Sequence, residues 1–225
     1  MSRDTACHGT PSRSQIDKAC SIAASHAAWE LRVAPGDIDH HRSGGTSKIV
    51  TVREGAIKLV GHFKEDRTQI VAFAFVGDAL LIPANADNKY SLHALTESRI
   101  SFSRAKDILS HMGSDAGPSK LDPIFADLER SRDMSIMLGC RSARERICIF
   151  LLNMADRIGT REAAVVVLDL PMSRREVGDF LGLTIETVSR QVTELRACGI
   201  IRTIGRSRIE ILNLQALHDV ADPTV

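Results

Sequence analysis

The sequence predicts an α+β chain in two parts: a β barrel or jelly roll, then a long helix and a winged helix-turn-helix. Three observations carry this. From Trp29 to about Ala105 short alternating segments are separated by turns, which is strand texture. Asp122 to Gly139 and Ser142 to Ile158 carry the caps and spacing of helices. Ser173 to Gly199 reads as two short helices joined by a tight turn, and two β-branched runs follow it.

Composition limits the alternatives. At 225 residues, 44% hydrophobic and with a formal net charge of +1, the chain has material for two modest cores and is not of disordered type. No apolar run reaches the length of a membrane span, and the N-terminus lacks the apolar stretch of a signal peptide, so a cytoplasmic protein is expected. The five cysteines, Cys7, Cys20, Cys140, Cys148 and Cys198, form no even, closely spaced framework and are expected to be reduced thiols.

Residues 1–28 read as a polar leader ending in a short helical stretch, Gln15 to Ala28. Pro35-Gly36-Asp37 is a turn, and Lys48 to Val52 is a strand closed by Glu54-Gly55. Ala56 to Val60 alternates, Lys64 to Arg67 is a hairpin tip before Gln69 to Phe75, and Gly77-Asp78 turns again. Strands at this spacing suit a barrel or jelly roll. His26, His40, His41, His62, His93 and His111 are scattered, with no pair at ligating spacing, as ordinary surface or core histidines are. No elbow serine, phosphate loop or paired ligand motif is present, so an enzyme is not expected.

His111 to Pro118 reads as a loop, and Asp122-Pro123 as N-cap and N1 of a helix that Gly139 ends. Ile124, Phe125, Leu128, Met134, Met137 and Leu138 give that helix an apolar side, interrupted by Ser131 and Ser135. Ser142 with Glu145 is a capping box opening a helix whose core stripe is Ile147, Phe150, Leu151, Met154 and Ile158. Ala163 to Leu170 reads as a strand leading into the next helix pair.

Ser173 and Glu176 form a second capping box, with Val177, Phe180 and Leu181 as the apolar face. Gly182 breaks that helix, Leu183 fills the space between the two helices, and Thr184 caps the second. Ile185, Val188, Val192 and Leu195 point inward, while Glu186, Thr187, Ser189, Arg190, Thr193 and Glu194 are left outside; Gly199 suits the C′ position. Glu, Ser and Arg on one helix face have the donors and acceptors that read base edges. A surface helical hairpin with a solvated face has the same periodicity. Ile200–Ile204 and Arg208–Leu212, flanking Gly205-Arg206-Ser207, add a basic hairpin, and helix, turn, helix and hairpin together make a winged helix. Pro171 to Leu212 holds seven arginines against five carboxylates, only a mild basic bias.

The segment Leu181 to Arg190, with this wing and the β region upstream, resembles the recognition segment of the CRP/FNR family of bacterial transcription regulators, particularly its FNR and FixK branches. The resemblance covers most of the chain beyond the leader. It implies a cyclic-nucleotide-binding-like β jelly roll at 29–112, a linker and long dimerisation helix at 113–140, and a winged helix-turn-helix DNA-binding domain at 141–225. Glu186, Ser189 and Arg190 fall on the family's base-contacting positions. Ile185 stands where the CRP branch has Arg, and Ser189 replaces a Gly, both favouring the half-site TTGAT. The expected target is therefore a TTGAT-N4-ATCAA-like palindrome in double-stranded DNA. A homodimeric activator would bind it in oxygen- or nitrogen-oxide-responsive gene control, with RNA polymerase as the further partner implied. Ser173, Thr184, Thr187, Gln191, Arg206 and Arg208 are the candidate phosphate contacts, and Ile124, Leu128, Ser131, Ser135 and Leu138 the dimerisation residues.

No cofactor is expected. Cys7 and Cys20 cannot supply the thiolates of an iron–sulfur cluster. Asp78-Ala79 and Tyr90-Ser91 stand where the family's cAMP pocket uses a Glu and an Arg-Ser pair, so a cyclic nucleotide would be poorly paired. The rival within the family is a ligand- or haem-gated gas sensor. Cys198, closing the recognition helix, is the candidate redox thiol, although a helix C-terminus disfavours a thiolate.

Overall fold

The computed structural model describes residues 29–38, 46–65, 67–84, 89–110, 122–139, 142–163 and 165–221, without the side chains of residues 37, 108–110, 123 and 124. The expected leader with its helical stretch, the loop His111 to Pro118, and Cys7, Cys20 and Cys140 lie outside the described residues, as does the side chain of Ile124.

Eight strands build the N-terminal part: β1 Trp29–Val33, β2 Gly36–Ile38, β3 Lys48–Glu54, β4 Ala56–His62, β5 Thr68–Phe75, β6 Ala79–Ile82, β7 Tyr90–Ala94 and β8 Ser98–Arg104. They form two four-stranded antiparallel sheets, β1-β8-β3-β6 and β2-β7-β4-β5. Alternation aims Val50, Val52, Leu80, Ile100 and Phe102 of the first sheet at Ile57, Leu59, Leu92 and Ala94 of the second, filling a shared apolar interior. Trp29 stacks on Phe102 with ring centroids 5.1 Å apart. Gly55 makes the tight passage from β3 to β4: its φ is +79°, and a Cβ there would lie 2.3 Å from the Glu97 carbonyl oxygen.

A short helix α1, Ala105–Ser110, follows β8, and α2, Asp122–Gly139, is the long helix. Its apolar residues divide between two faces. Met137 is buried with Met134 packed beside it, whereas Phe125, Leu128 and Ile136 are 55%, 46% and 70% exposed. The expected single apolar side is thus corrected, because the helix lies against β6 along one flank and leaves the other uncovered. Ser131 and Ser135 donate to the carbonyls of Asp127 (3.1 Å) and Ser131 (3.0 Å), so both hydroxyls are satisfied inside the helix.

The C-terminal part contains α3 Ala143–Ile158, β9 Thr160–Glu162, β10 Val165–Asp169, α4 Arg174–Leu181, α5 Ile185–Ala197, β11 Ile201–Ile204, β12 Arg208–Ile211 and α6 Leu214–Ala221. The strand expected over Ala163 to Leu170 is present as β10, Val165–Asp169, and a further short strand, β9, precedes it. Ala163 has φ +52°, the chain reverses there, and β9 pairs back onto β10 in the sheet β11-β12-β10-β9. Helix α6 packs on α3 and buries Leu217; its start is marked by Asn213, whose Oδ1 accepts the Ala216 N–H at 2.9 Å.

Ile147, Phe150, Leu151, Met154, Leu181, Val188, Leu195, Ile201 and Leu217 form the second core. That core does not stop at the C-terminal part. It continues through Val60, Ile70, Phe73 and Phe75, from the outer surface of β2-β7-β4-β5, with Phe180 between Phe73 (5.0 Å) and Phe150 (5.9 Å).

Gly178, inside α4, is required by this packing: a Cβ there would sit 2.7 Å from the Leu183 carbonyl oxygen, and the Leu183 N–H donates to Gly178 O at 2.9 Å. Alanine is the better helix former by about 1 kcal/mol. Gly178→Ala is nevertheless expected to lower the unfolding free energy by about 1–3 kcal/mol in urea titrations, because the turn backbone must give way. An unchanged or raised midpoint would show that the turn yields freely.

Candidate nucleic-acid interface

The candidate surface is assembled by caps. Ser173 Oγ accepts the Glu176 N–H (3.3 Å), and Glu176 Oε2 accepts the Ser173 N–H (2.7 Å) and hydroxyl (2.8 Å), closing the capping box of α4. Gly182 ends α4 in the left-handed region at φ +64°, and Thr184 Oγ1 accepts the Thr187 N–H at 3.2 Å to start α5. Val188, Val192 and Leu195 are buried beneath α5, as the spacing predicts. Ile185, expected inward, is exposed, because as the first helical residue it precedes the turn that reaches the core.

Glu186 and Arg190 are exposed and Ser189 is half-buried beside them, all on α5. Glu186 is held below the ordinary carboxylate range by its own backbone N–H at the helix start, then by Thr184 and Arg175, so it is ionised near neutrality. Thr184 and Thr187 share a hydroxyl contact of 3.1 Å at the head of α5, and Ser173 is exposed at the head of α4.

Two expected backbone contacts are placed differently. Gln191 is only 8% exposed on the inner side of α5, and its Oε1 has no hydrogen-bond partner among the described residues, so burial removes it from the DNA-facing set. Arg208 is drawn along its own sheet: Glu162 lies 3.4 Å away, Asp169 3.9 Å and Glu210 4.0 Å. Glu210 also pairs with Arg202. Arg206, exposed at the wing turn beside Gly205 (φ +64°), is engaged by no carboxylate among the described residues. Cys198 is the exposed C-cap of α5 and accepts from Arg144 Nη2 at 3.8 Å; Cys148 is buried, which pushes its thiol up to about 11.

Behind this surface, besides the shared apolar core, two sets of ion pairs join the β-roll to the helices. Lys58 Nζ donates to Glu176 Oε1 at 2.7 Å, on the oxygen not used by Ser173. Asp78, in the β5–β6 turn, pairs with Arg157 of α3 (2.6 Å) and Arg130 of α2 (3.2 Å), while its Oδ2 also accepts the Phe75 N–H at 2.8 Å. Arg157 donates further to Phe73 O (2.8 Å) and lies 4.6 Å from the Phe75 ring centroid. Ser91 Oγ lies 2.7 Å from Nε2 of both His62 and His93, a pairing that the linear spacing conceals. His26, His40, His41 and His111 lie outside the described residues. Among the described residues no three His, Cys, Asp or Glu side chains gather as a metal site, and no helix is long and apolar enough to cross a membrane.

Residues 145–220 match the Crp-like helix-turn-helix domain family. The chain is 34% identical over 175 residues to the nitrogen fixation regulation protein FixK of Azorhizobium caulinodans, covering 76% of this chain and 70% of that one. It is 31% identical over 213 residues to FixK of Bradyrhizobium diazoefficiens, covering 91% and 88%. Among solved structures, FixK2 from Bradyrhizobium japonicum superposes with a TM-score of 0.73 at 27% identity, covering 88% of this chain and 98% of that chain. A CooA mutant from Carboxydothermus hydrogenoformans, at 19% identity and TM-score 0.70 over 86% and 88%, shares the fold.

Burial alone would raise the Glu176 carboxyl, but hydrogen bonds from Lys58 and Ser173 outweigh it and hold it below 4.5. A carboxyl depressed by folding adds stability above its unfolded pKa, and that stability is lost as pH falls through the lower folded value. The difference in unfolding free energy between wild type and Glu176→Gln is therefore expected to be level from neutrality to about pH 4.5 and to shrink below it. A difference that persists undiminished to about pH 3 would mean that the charge of Glu176 contributes nothing.

Proposed function

Because this chain belongs to the CRP/FNR family of transcription regulators, in its FixK-like branch, we propose that it acts as a cytoplasmic homodimer on a TTGAT-N4-ATCAA-like palindrome, activating transcription with RNA polymerase in oxygen- or nitrogen-oxide-responsive control. The chain is a DNA-binding transcription regulator and not an enzyme. The observation that carries the finer reading is the capped helix α5, which presents Glu186, Ser189 and Arg190 together on its outer side.

Two such helices about 34 Å apart, roughly one turn of DNA, enter successive major grooves. Arg190 offers its fork to the O6 and N7 of a guanine, the ionised Glu186 accepts from a cytosine N4, and Ser189 serves either base type. Ser173, Thr184, Thr187 and Arg206 contact phosphates, which fixes register without reading sequence. The dimer seam runs along the uncovered side of α2 through Phe125, Leu128, Ser135 and Ile136, with Ser131 at its margin. Leu138 is half-buried against its own chain and contributes less.

Regulation without a bound effector is supported by what occupies the family's ligand positions. Asp78 is committed to two arginines and Ser91 to two histidines, and apolar side chains fill the roll interior.

Fluorescence anisotropy with cognate and base-substituted duplexes tests the assignment. Arg190→Ala is expected to cost about 1–3 kcal/mol on the cognate palindrome and to relax selectivity at one base pair. A variant that discriminates as wild type does removes Arg190 from the reading set. Arg206→Ala is expected to weaken all sequences alike and to reduce the slope of log affinity against log salt by about one per wing. An unchanged slope would take Arg206 off the phosphates.

A further inference from the structure

We infer that Lys58, a residue of the β-roll, is a positioning residue for DNA recognition: through Glu176 it fixes the orientation of the helix-turn-helix and so sets the half-site spacing that the dimer accepts. This rests on the DNA-reading role proposed above and adds a specificity determinant that touches no DNA.

The geometry separates docking from reading. Helix α4 meets the roll through Glu176 and Phe180, whereas α5 carries Glu186 and Arg190, both exposed while α4 is docked. Docking therefore leaves the reading residues free. The capping box, for its part, is complete without Lys58: Ser173 and Glu176 satisfy one another through Oε2 and Ser173 Oγ. What Lys58 adds, 118 residues away in sequence, is a charge-assisted bond from the rigid β4 strand to the remaining carboxylate oxygen.

Base contacts specify a half-site and carry no information about the distance to the next one. Spacing is defined only if a stiff path joins one recognition helix to the other. Here that path runs from α5 to α4, from Glu176 to Lys58 and the roll, and from the roll through Asp78 and Arg130 into α2, the helix given above to the dimer seam. The DNA-binding domain needs two attachments for this. The Asp78–Arg157 pair holds α3, and a single attachment would leave a swivel about that point. Lys58–Glu176, with Phe73 against Phe180, holds α4 and removes the swivel. With both in place the two-helix unit has one orientation on the roll, and the dimer has one preferred spacer.

The test uses the full chain and fluorescence anisotropy on palindromes whose spacer is the N4 length or shorter or longer by one and two base pairs, with a duplex of scrambled half-sites as reference. Lys58→Ala is expected to reduce the preference for the best spacer over its neighbours by about fivefold. Its preference for cognate over scrambled half-sites should be kept, because Arg190 and its neighbours are untouched. Lys58→Arg preserves the charge and the donor, and is expected to restore the wild-type spacing profile. A Lys58→Ala profile that superposes on wild type, even if uniformly weaker, overturns the proposal. Loss of half-site discrimination together with spacing also overturns it, since Lys58 would then merely support the fold of the helix pair. If wild type itself does not distinguish cognate from scrambled half-sites, the DNA-reading proposal fails first. That result is read from the unsubstituted protein, so the two failures are distinct.

Discussion

One carboxylate ties the molecule together. Glu176 closes the first turn of α4 with one oxygen and meets Lys58 of the β-roll with the other. A helix start has N–H groups to satisfy and a partial positive charge to neutralise, so an acidic residue at this point is demanded by local chemistry. The same residue also lies where the N-terminal sheet meets the C-terminal core, and there it joins a local requirement to a long-range one. Phe180, four residues further along α4, enters the aromatic group between Phe73 and Phe150, so polar and apolar contacts hold the same helix against the same sheet.

This junction explains why the second core is continuous across the expected domain boundary. The outer side of β2-β7-β4-β5 carries apolar residues, Val60, Ile70, Phe73 and Phe75, that a free-standing roll would expose to water. Covering them with α3 and α4 buries both partners at once. Asp78, in the β5–β6 turn, adds a polar junction there by pairing with Arg130 of α2 and Arg157 of α3.

The sequence made the local structure legible and the long-range structure much less so. Both capping boxes, the Gly182 break, the Thr184 cap and the buried set Val188, Val192 and Leu195 follow from spacing, because each depends on residues within a few positions of itself. The misreadings arise where distant residues decide. Gln191 looked free on a helical wheel until the packing of α5 enclosed it. Arg208 looks like a wing cation in sequence, but β9, a short strand that no sequence signal marks, pairs with β10 and brings Glu162 alongside. The apolar side of α2 is split because Met137 is buried with Met134 packed beside it, while Ile136 on the other flank stays 70% exposed. His62 and His93 share Ser91 only because β4 and β7 are neighbours. One missed element did carry a signal: Asn213, followed by Leu214 and Leu217, is a cap and the start of an apolar stripe.

The most direct test is a selection of bound sequences from a random DNA pool, using the purified 225-residue chain with no effector added. The account predicts enrichment of a two-fold palindrome of the TTGAT-N4-ATCAA class with a sharply defined spacer, because two identical reading helices are held at a fixed separation. Recovery of unrelated sequences with no common element, or of single half-sites with no partner at a constant distance, would contradict it.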